Sequence, residues 1–171
     1  MDGAAIRLAV RGDVPAIHGL IRELAAYEKL EHLCTGTERA LDESLFGEPA
    51  RAEVLVAAVG AEIVGFALFF PTFSTFLARP GLWLEDLYVK PQHRGRGLGA
   101  RLLRAVAALA VERRCGRFEW AVLDWNAPAI AFYERMGATV MPDWRIVRVV
   151  GPALDALANG TAPTKSESDM Q

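Results

Sequence analysis

WLEDLYVKPQHRGRGLGARLL, residues 83–103, reads as a strand, a glycine-rich turn and the start of a helix. Trp83 to Val89 is rich in aromatic, β-branched and large aliphatic residues, as a buried strand is, and Lys90-Pro91 stops it because proline cannot donate to a ladder. Glu85 and Asp86 interrupt that apolar run. Charge inside a strand is costly unless it is paired or used, so both carboxylates ask for a purpose. Gly95, Gly97 and Gly99 alternate with Arg96 and Leu98, which turns the backbone sharply and aims several N–H groups outward where a helix begins. Such a terminus binds anions, and with Arg94 and Arg96 beside it the best-suited ligand carries phosphate.

Working outward, the helix after the turn is predicted over residues 99–114, with Leu102, Val106 and Leu109 on one face and Gly116 beyond its end. Phe118 to Leu123 is the next expected strand. Asn126-Ala127-Pro128 opens a further helix carrying Ile130, Tyr133 and Met136 on one side and closed by Gly137. Trp144 to Val150 is expected as a last strand, followed by a short helix over 152–158. From Asn159 onward NGTAPTKSESDMQ is polar, small and aperiodic, the composition of a disordered tail.

Upstream, Ile6, Leu8 and Val10 alternate like a half-buried strand. Asp13 and Pro15 then announce a helix as N-cap and early-turn residues, with Ile17, Leu20, Ile21 and Leu24 at helical spacing and Tyr27-Glu28-Lys29 near its end. A shorter helix is predicted from Thr35 or Thr37 to Phe46, stopped by Gly47. Glu53–Val59 and Ile63–Phe70 flank Gly60-Ala61-Glu62 as a hairpin buried on both faces. The segment PTFSTFLARPG, residues 71–81, is expected as a loop that either walls a site with Phe73 and Phe76 or folds onto the core. The element order is that of a mixed α/β sheet of six or seven strands.

A chain of 171 residues with 52% hydrophobic and 23% charged content suits one globular domain, here drawn as 1–158, with the tail over 159–171. Its apolar runs are broken well before about 18 residues and MDGAAIRLAV lacks the organisation of a signal peptide, so a soluble cytoplasmic protein with no membrane partner is expected. Cys34 and Cys115 read as free thiols. His18, His32 and His93 do not cluster with other ligand types, so no metal is expected. A net charge of −2, with arginines that are not interleaved with aromatics, argues against nucleic acid as a partner. The charge is nevertheless uneven, basic over residues 90–117 and acidic over 23–62, which fits either solvated helix faces or an anionic ligand in one half and a cationic one in the other.

Gly95-Arg96-Gly97-Leu98-Gly99-Ala100 also satisfies a dinucleotide fingerprint, with Glu119 about twenty residues further on. That fingerprint should open the first strand–helix unit and follow its strand tightly, whereas four elements precede it here and KPQHR intervenes. A phosphate loop of the Walker type fails as well, since no Gly-Lys-Ser/Thr follows.

RGRGLG after LEDLYVKPQH, followed by WNAPAIAFYERMGA, resembles the GNAT superfamily of N-acetyltransferases. Its pyrophosphate-binding pattern is Gln or Arg, two residues, Gly, one residue, then Gly or Ala. Arg94, Gly97 and Gly99 match it, and Gln92, Gly95 and Gly97 match it in a second frame. ELAAYEKLE, LFGE, VGFALFF and LEDLYV are more narrowly similar to the branch that includes the polyamine and thialysine N-acetyltransferases. The resemblance spans roughly residues 5–150 and implies a single-domain fold with helices on both sheet faces and a splayed central strand. It further implies acetyl-coenzyme A as cosubstrate, a small cationic amine as acceptor and a homodimer.

By the same resemblance Glu85 is the general base, acting through a water, and Tyr133 the general acid for the departing thiolate. Taken without that context, Tyr133 reads first as a core aromatic of an amphipathic helix. Leu87, Tyr88 and Val89, through backbone N–H groups, together with Arg94, Gly95, Arg96, Gly97, Leu98, Gly99, Asn126 and Phe132, are the residues implied to hold the cofactor. Asn126 also fits a simple helix cap. Asp86, Glu28, Tyr27 and Trp144 are the expected contacts to the far end of the acceptor, since carboxylates pair with ammonium and aromatic faces attract it. Neighbours on a regular strand point to opposite faces, so Glu85 and Asp86 share one site only through a bulge; otherwise Asp86 pairs with an arginine elsewhere. Near the last strand, Met141-Pro142-Asp143 keeps a single carboxylate where that branch is acidic. The alternatives are an acetyltransferase for another small amine or amino acid side chain and, from a different class, a non-catalytic acetyl-coenzyme A sensor.

Overall fold

In the computed structural model, which describes residues 3–161, the chain divides after Ala127 into two compact units. The first is built on one mixed five-stranded sheet. β1 (Ala4–Leu8), β2 (Glu53–Val59), β3 (Glu62–Ser74), β4 (Arg79–Val89) and β5 (Arg117–Trp120) lie side by side in that order. The first four pair antiparallel, and β5 runs parallel to β4 because the helix α3 (Leu98–Glu112) carries the chain back between them.

The sheet is covered on both sides. Val54, Val56 and Ala58 of β2 pack with Phe66 and Tyr88 against Ile17, Leu20 and Leu24 of α1 (Val14–Glu28). Leu55 and Ala57, which alternate with them, are buried as well, and α3 contributes the buried Leu102, Leu103 and Val106. Strands buried on both faces have no polar side to show, which is why β2 reads as a continuous apolar run. A shorter α2 (Glu38–Phe46) adds Leu45 to the core and is capped by Thr37, whose hydroxyl accepts from the Ala40 N–H at 3.2 Å.

Three expectations are corrected. Asp13 does not cap α1 through its side chain. It is buried instead, accepting from Arg7 at 2.6 and 3.0 Å and from the Val10 N–H at 2.8 Å, so it ties the end of β1 to the start of the helix. Residues 71–81 are not a loop: the β3–β4 ladder continues through Pro71↔Leu82 to Ser74↔Arg79, leaving only four residues in the turn. Pro71 and Pro80 are tolerated because β2 and β5 end before reaching them, so each lies where its strand has one neighbour.

The third correction is the strand count, five among the described residues rather than six or seven. β5 ends at Trp120, short of Leu123. In the second unit Trp144 to Val150 is irregular and exposed. Alternation in WRIVRVV suits a pleated surface, but β-propensity is realised only where a neighbouring strand supplies the hydrogen bonds, and none pairs with this segment among the described residues. That unit holds α5 (Gly151–Ala158) and all but the first residue of α4 (Ala127–Arg135), which Gly137 closes at φ +93°. The expected tail lies outside the described residues from 162 onward.

The Arg7 guanidinium holds the Asp13 carboxyl below the usual carboxylate range. A depressed pKa stabilises the fold above the unfolded value and loses that contribution as pH falls. Asp13→Ala should cost about 2 kcal/mol in urea unfolding at pH 7, because it leaves the Val10 N–H and the Arg7 guanidinium without their acceptor. The difference from wild type should shrink towards pH 3.

Candidate active site

The site is built on β4. Leu68 of β3 faces Asp86 while the next residue, Phe69, faces Leu84, so Glu85 is an extra residue without a partner across the ladder. A β-bulge of this kind breaks the strict alternation of faces. Partners across an antiparallel ladder share a face. Trp83 pairs with Phe70, Asp86 with Leu68 and Tyr88 with Phe66, which packs under α1, so Trp83, Asp86 and Tyr88 all project to the α1 side. Glu85 joins them, its Oε2 accepting from the Trp83 indole N–H at 2.8 Å. The bulge therefore gathers two carboxylates that a regular strand would separate.

Glu28, the last residue of α1, completes the cluster. The Asp86 carboxyl is pushed up to about 7, chiefly by burial and then by the charges of Glu85 and Glu28. Burial raises Glu28 as well. Three converging carboxylates, two of them in a setting that disfavours charge, suit a cationic ligand, because an ammonium restores the ionised form of Asp86 and Glu28.

Beside the cluster the sheet opens. β5 pairs with β4 only from Gly81 to Leu84, so Glu85 to Val89 have no neighbour on that side among the described residues. The expected splay is thus present. Lys90 donates its N–H to Val64 of β3 at 2.9 Å, and by alternation Tyr88 also turns its backbone to β3 while Leu87 and Val89 turn theirs to the gap. The Val89 carbonyl agrees, accepting there from Arg94 Nε at 2.8 Å. Of the three N–H groups expected to face an acyl group, those of Leu87 and Val89 point to the opening.

The turn follows at once. Gly95 and Gly97 adopt φ +74° and +77°, a region that strains other residues. A Cβ on either would meet nothing within 4 Å, so the turn is open. α3 then starts at Leu98 with no side-chain cap, and the N–H groups of its first turn are free to meet an anion. Arg96 is exposed beside them and Leu98 is buried beneath. A coenzyme A pyrophosphate fits this cradle.

The Arg94 side chain is held elsewhere. Its guanidinium stands 5.0 Å from the ring of Tyr27 and 5.3 Å from that of Tyr88. Tyr88 in turn donates its hydroxyl to Glu23 at 3.2 Å, and Tyr27 meets Trp125 with ring centroids 6.1 Å apart. Asn126 is buried just ahead of α4. Phe132 and Tyr133 lie on α4 with rings 5.2 Å apart, and Trp144 is exposed in the irregular stretch of the second unit.

Several contributors were not picked out from sequence. Trp83 carried a usable signal, since residues two apart on a strand share a face. Glu23 and Trp125 carried none, because their partners are remote in the chain. The two charged stretches meet in two ion pairs, Lys90 with Glu62 at 2.7 Å and Arg113 with Glu53 at 2.6 Å. A separate hollow of about 430 Å³ between α1 and the β2–β3 turn contains none of the three clustered carboxylates. Among the described residues no group of three or more His, Cys, Asp and Glu is placed to hold a metal, and no helix is long and apolar enough to cross a membrane.

Residues 20–138 match the acetyltransferase (GNAT) family, and the chain belongs to it. It is 38% identical to a thialysine N-epsilon-acetyltransferase of Sus scrofa, over 92% of this chain and 99% of the relative. It is 36% identical to the L-ornithine N5-acetyltransferase NATA1 of Arabidopsis thaliana, over 89% and 86%. Among solved structures, an integron cassette protein from the mobile metagenome of V. cholerae superposes with a TM-score of 0.77 at 25% identity, covering 92% of this chain and 98% of its own. The protein is accordingly an acetyl-coenzyme A-dependent N-acetyltransferase.

Because the Asp86 pKa is raised, its proton stabilises the folded protein at low pH, and this contribution is lost progressively as pH rises from about 4 to about 7. Asp86→Asn should therefore raise the melting temperature by a few degrees at pH 8 and change it little at pH 4, as read by scanning calorimetry. An equal shift at both pH values would show that Asp86 ionises freely.

Proposed function

We propose that the enzyme transfers acetyl directly from acetyl-coenzyme A to a primary amine of a small cationic acceptor, a polyamine, a diamine or a thialysine-like amino acid. The observation that carries this is the convergence of Glu28, Glu85 and Asp86 beside the open edge of β4, next to a phosphate-binding turn. The relatives act on thialysine and ornithine, which are small amines of this kind. Residues 1–158 form the catalytic domain, followed by a tail over 159–171, in a cytoplasmic homodimer that uses no metal.

An alkylammonium with pKa about 10.4 is only about one part in 2,500 neutral at pH 7, so the acceptor must be bound as a cation and then deprotonated. Asp86 and Glu28 bind it, with Trp144 as an aromatic wall. Glu85, held by the Trp83 indole, takes its proton through a water. Bound acetyl-coenzyme A supplies the acetyl thioester. The N–H groups of Leu87 and Val89 polarise the thioester carbonyl oxygen. The phenol of Tyr133, protonated at neutral pH, delivers its proton to the departing sulfur. Asn126 and Phe132 complete the cofactor contacts with Arg96, Leu98 and the backbone of residues 94–99. No acyl-cysteine is needed. Cys115 follows the far end of α3, which separates it from the turn by roughly 20 Å of helix.

A thiol-release assay with spermidine, putrescine, thialysine, ornithine, lysine and a lysine peptide tests the function. Release is expected with cationic small amines; binding of coenzyme A without release from any of them would indicate a sensor. Tyr133→Phe should lower kcat about 100-fold while the coenzyme A Kd stays within a factor of two. An unchanged kcat would remove Tyr133 as the acid.

A further inference from the structure

We infer that Tyr27 is a positioning residue for the phosphate-binding turn. Its ring and that of Tyr88 enclose the Arg94 guanidinium, and so fix the start of the turn against the C-terminal end of α1. The inference rests on the turn being the coenzyme A site and deepens that reading with a residue from outside the motif.

Gly95 and Gly97 give the turn its left-handed path, but glycines also leave it with more conformational freedom to lose when a ligand orders it. Its geometry must be imposed from the flanks. Leu98 is buried on the α3 side. On the β4 side the anchor is Arg94, which donates Nε–H to the Val89 carbonyl at 2.8 Å and presents its planar cation to two aromatic rings.

Those rings come from different elements, and both are secured on α1. Tyr27 belongs to α1 and is backed by Trp125, with centroids 6.1 Å apart. Tyr88 belongs to β4, and its hydroxyl donates to Glu23 at 3.2 Å. Glu23 and Tyr27 are four residues apart, so a single face of α1 holds both sides of the clamp. The helix then ends at Glu28, with Lys29 in a left-handed C-cap that accepts no continuation. Residues that set the turn and the carboxylate that faces the acceptor are thereby adjacent on one helix end. Tyr27 accordingly serves the reaction through Arg94: a ring already faced by a guanidinium is poorly placed to receive an ammonium on that face.

Titration of coenzyme A into the full-length protein by calorimetry, well below each variant's melting temperature, tests this. Tyr27→Leu and Arg94→Met should each weaken binding about fivefold, the size expected for an exposed cation–π contact. Tyr27→Phe, which keeps the ring, should retain wild-type affinity. The double variant should bind no more weakly than either single one, since both remove the same clamp. A Tyr27→Leu affinity within twofold of wild type overturns the inference, even if its melting temperature falls, because a purely packing role lowers stability without moving Kd. Additive losses in the double variant overturn it too. Failure of the wild-type protein to bind coenzyme A is a distinct result, which brings down the assignment of the turn itself.

Discussion

Between Leu84 and Asp86, β4 carries one residue more than the stretch of β3 opposite it, and the faces of the strand are set by that excess. Before the bulge Leu82 and Leu84 are buried and Trp83 looks towards α1; after it, Asp86 and Tyr88 take the α1 side and Leu87 and Val89 the other. Without the slip Asp86 would face α3, among Leu102 and Val106, where an ionisable group has no use. With it, the apolar residues still serve both cores, and the polar pair is delivered to the end of α1. One irregularity in a ladder thus reconciles a strand that must be buried with a site that must be charged.

The same strand ends in the gap left by β5. A parallel neighbour that departs after Leu84 exposes backbone groups that sheets normally satisfy internally. Left to water they would only weaken the edge; in the proposed reaction they serve as donors for a carbonyl. The first residue of β4 without a β5 partner and the first glycine of the turn are about ten residues apart, so the opening in the sheet and the turn are joined by continuous backbone.

Much of this was legible in the chain. The hairpin of β2 and β3, the Thr37 cap, the turn and its helix follow from local chemistry: apolar runs, a capping hydroxyl, and glycines where φ is positive. The two carboxylates in an apolar strand are conspicuous because burial is costly to them, and only a bulge lets neighbours on a strand share one site. What was not legible depends on partners. Trp144 to Val150 has the pattern of a strand but no strand beside it, while residues 71–81 have the composition of a loop yet pair in register because their partners are each other. Asp13 looked like a cap, and the guanidinium of Arg7, six residues earlier, draws it elsewhere. The contacts of Tyr27 with Arg94 and Trp125 join segments far apart in sequence, and nothing local announces them.

The two carboxylates gathered by the bulge differ in environment, and the difference assigns them different parts in the proposed reaction. Glu85 accepts a hydrogen bond from the Trp83 indole, which fixes the direction of the carboxylate. Asp86 has burial against it and two like charges beside it, which push its carboxyl up to about 7. An arriving ammonium reverses the balance at Asp86 alone, because there the charge of the ligand replaces the solvation that burial removed. Proton release from Asp86 on binding then gives the two carboxylates unequal duties. In the proposed reaction Asp86 neutralises the cation, and Glu85, already aimed by the indole, takes the proton that the amine must lose before it attacks.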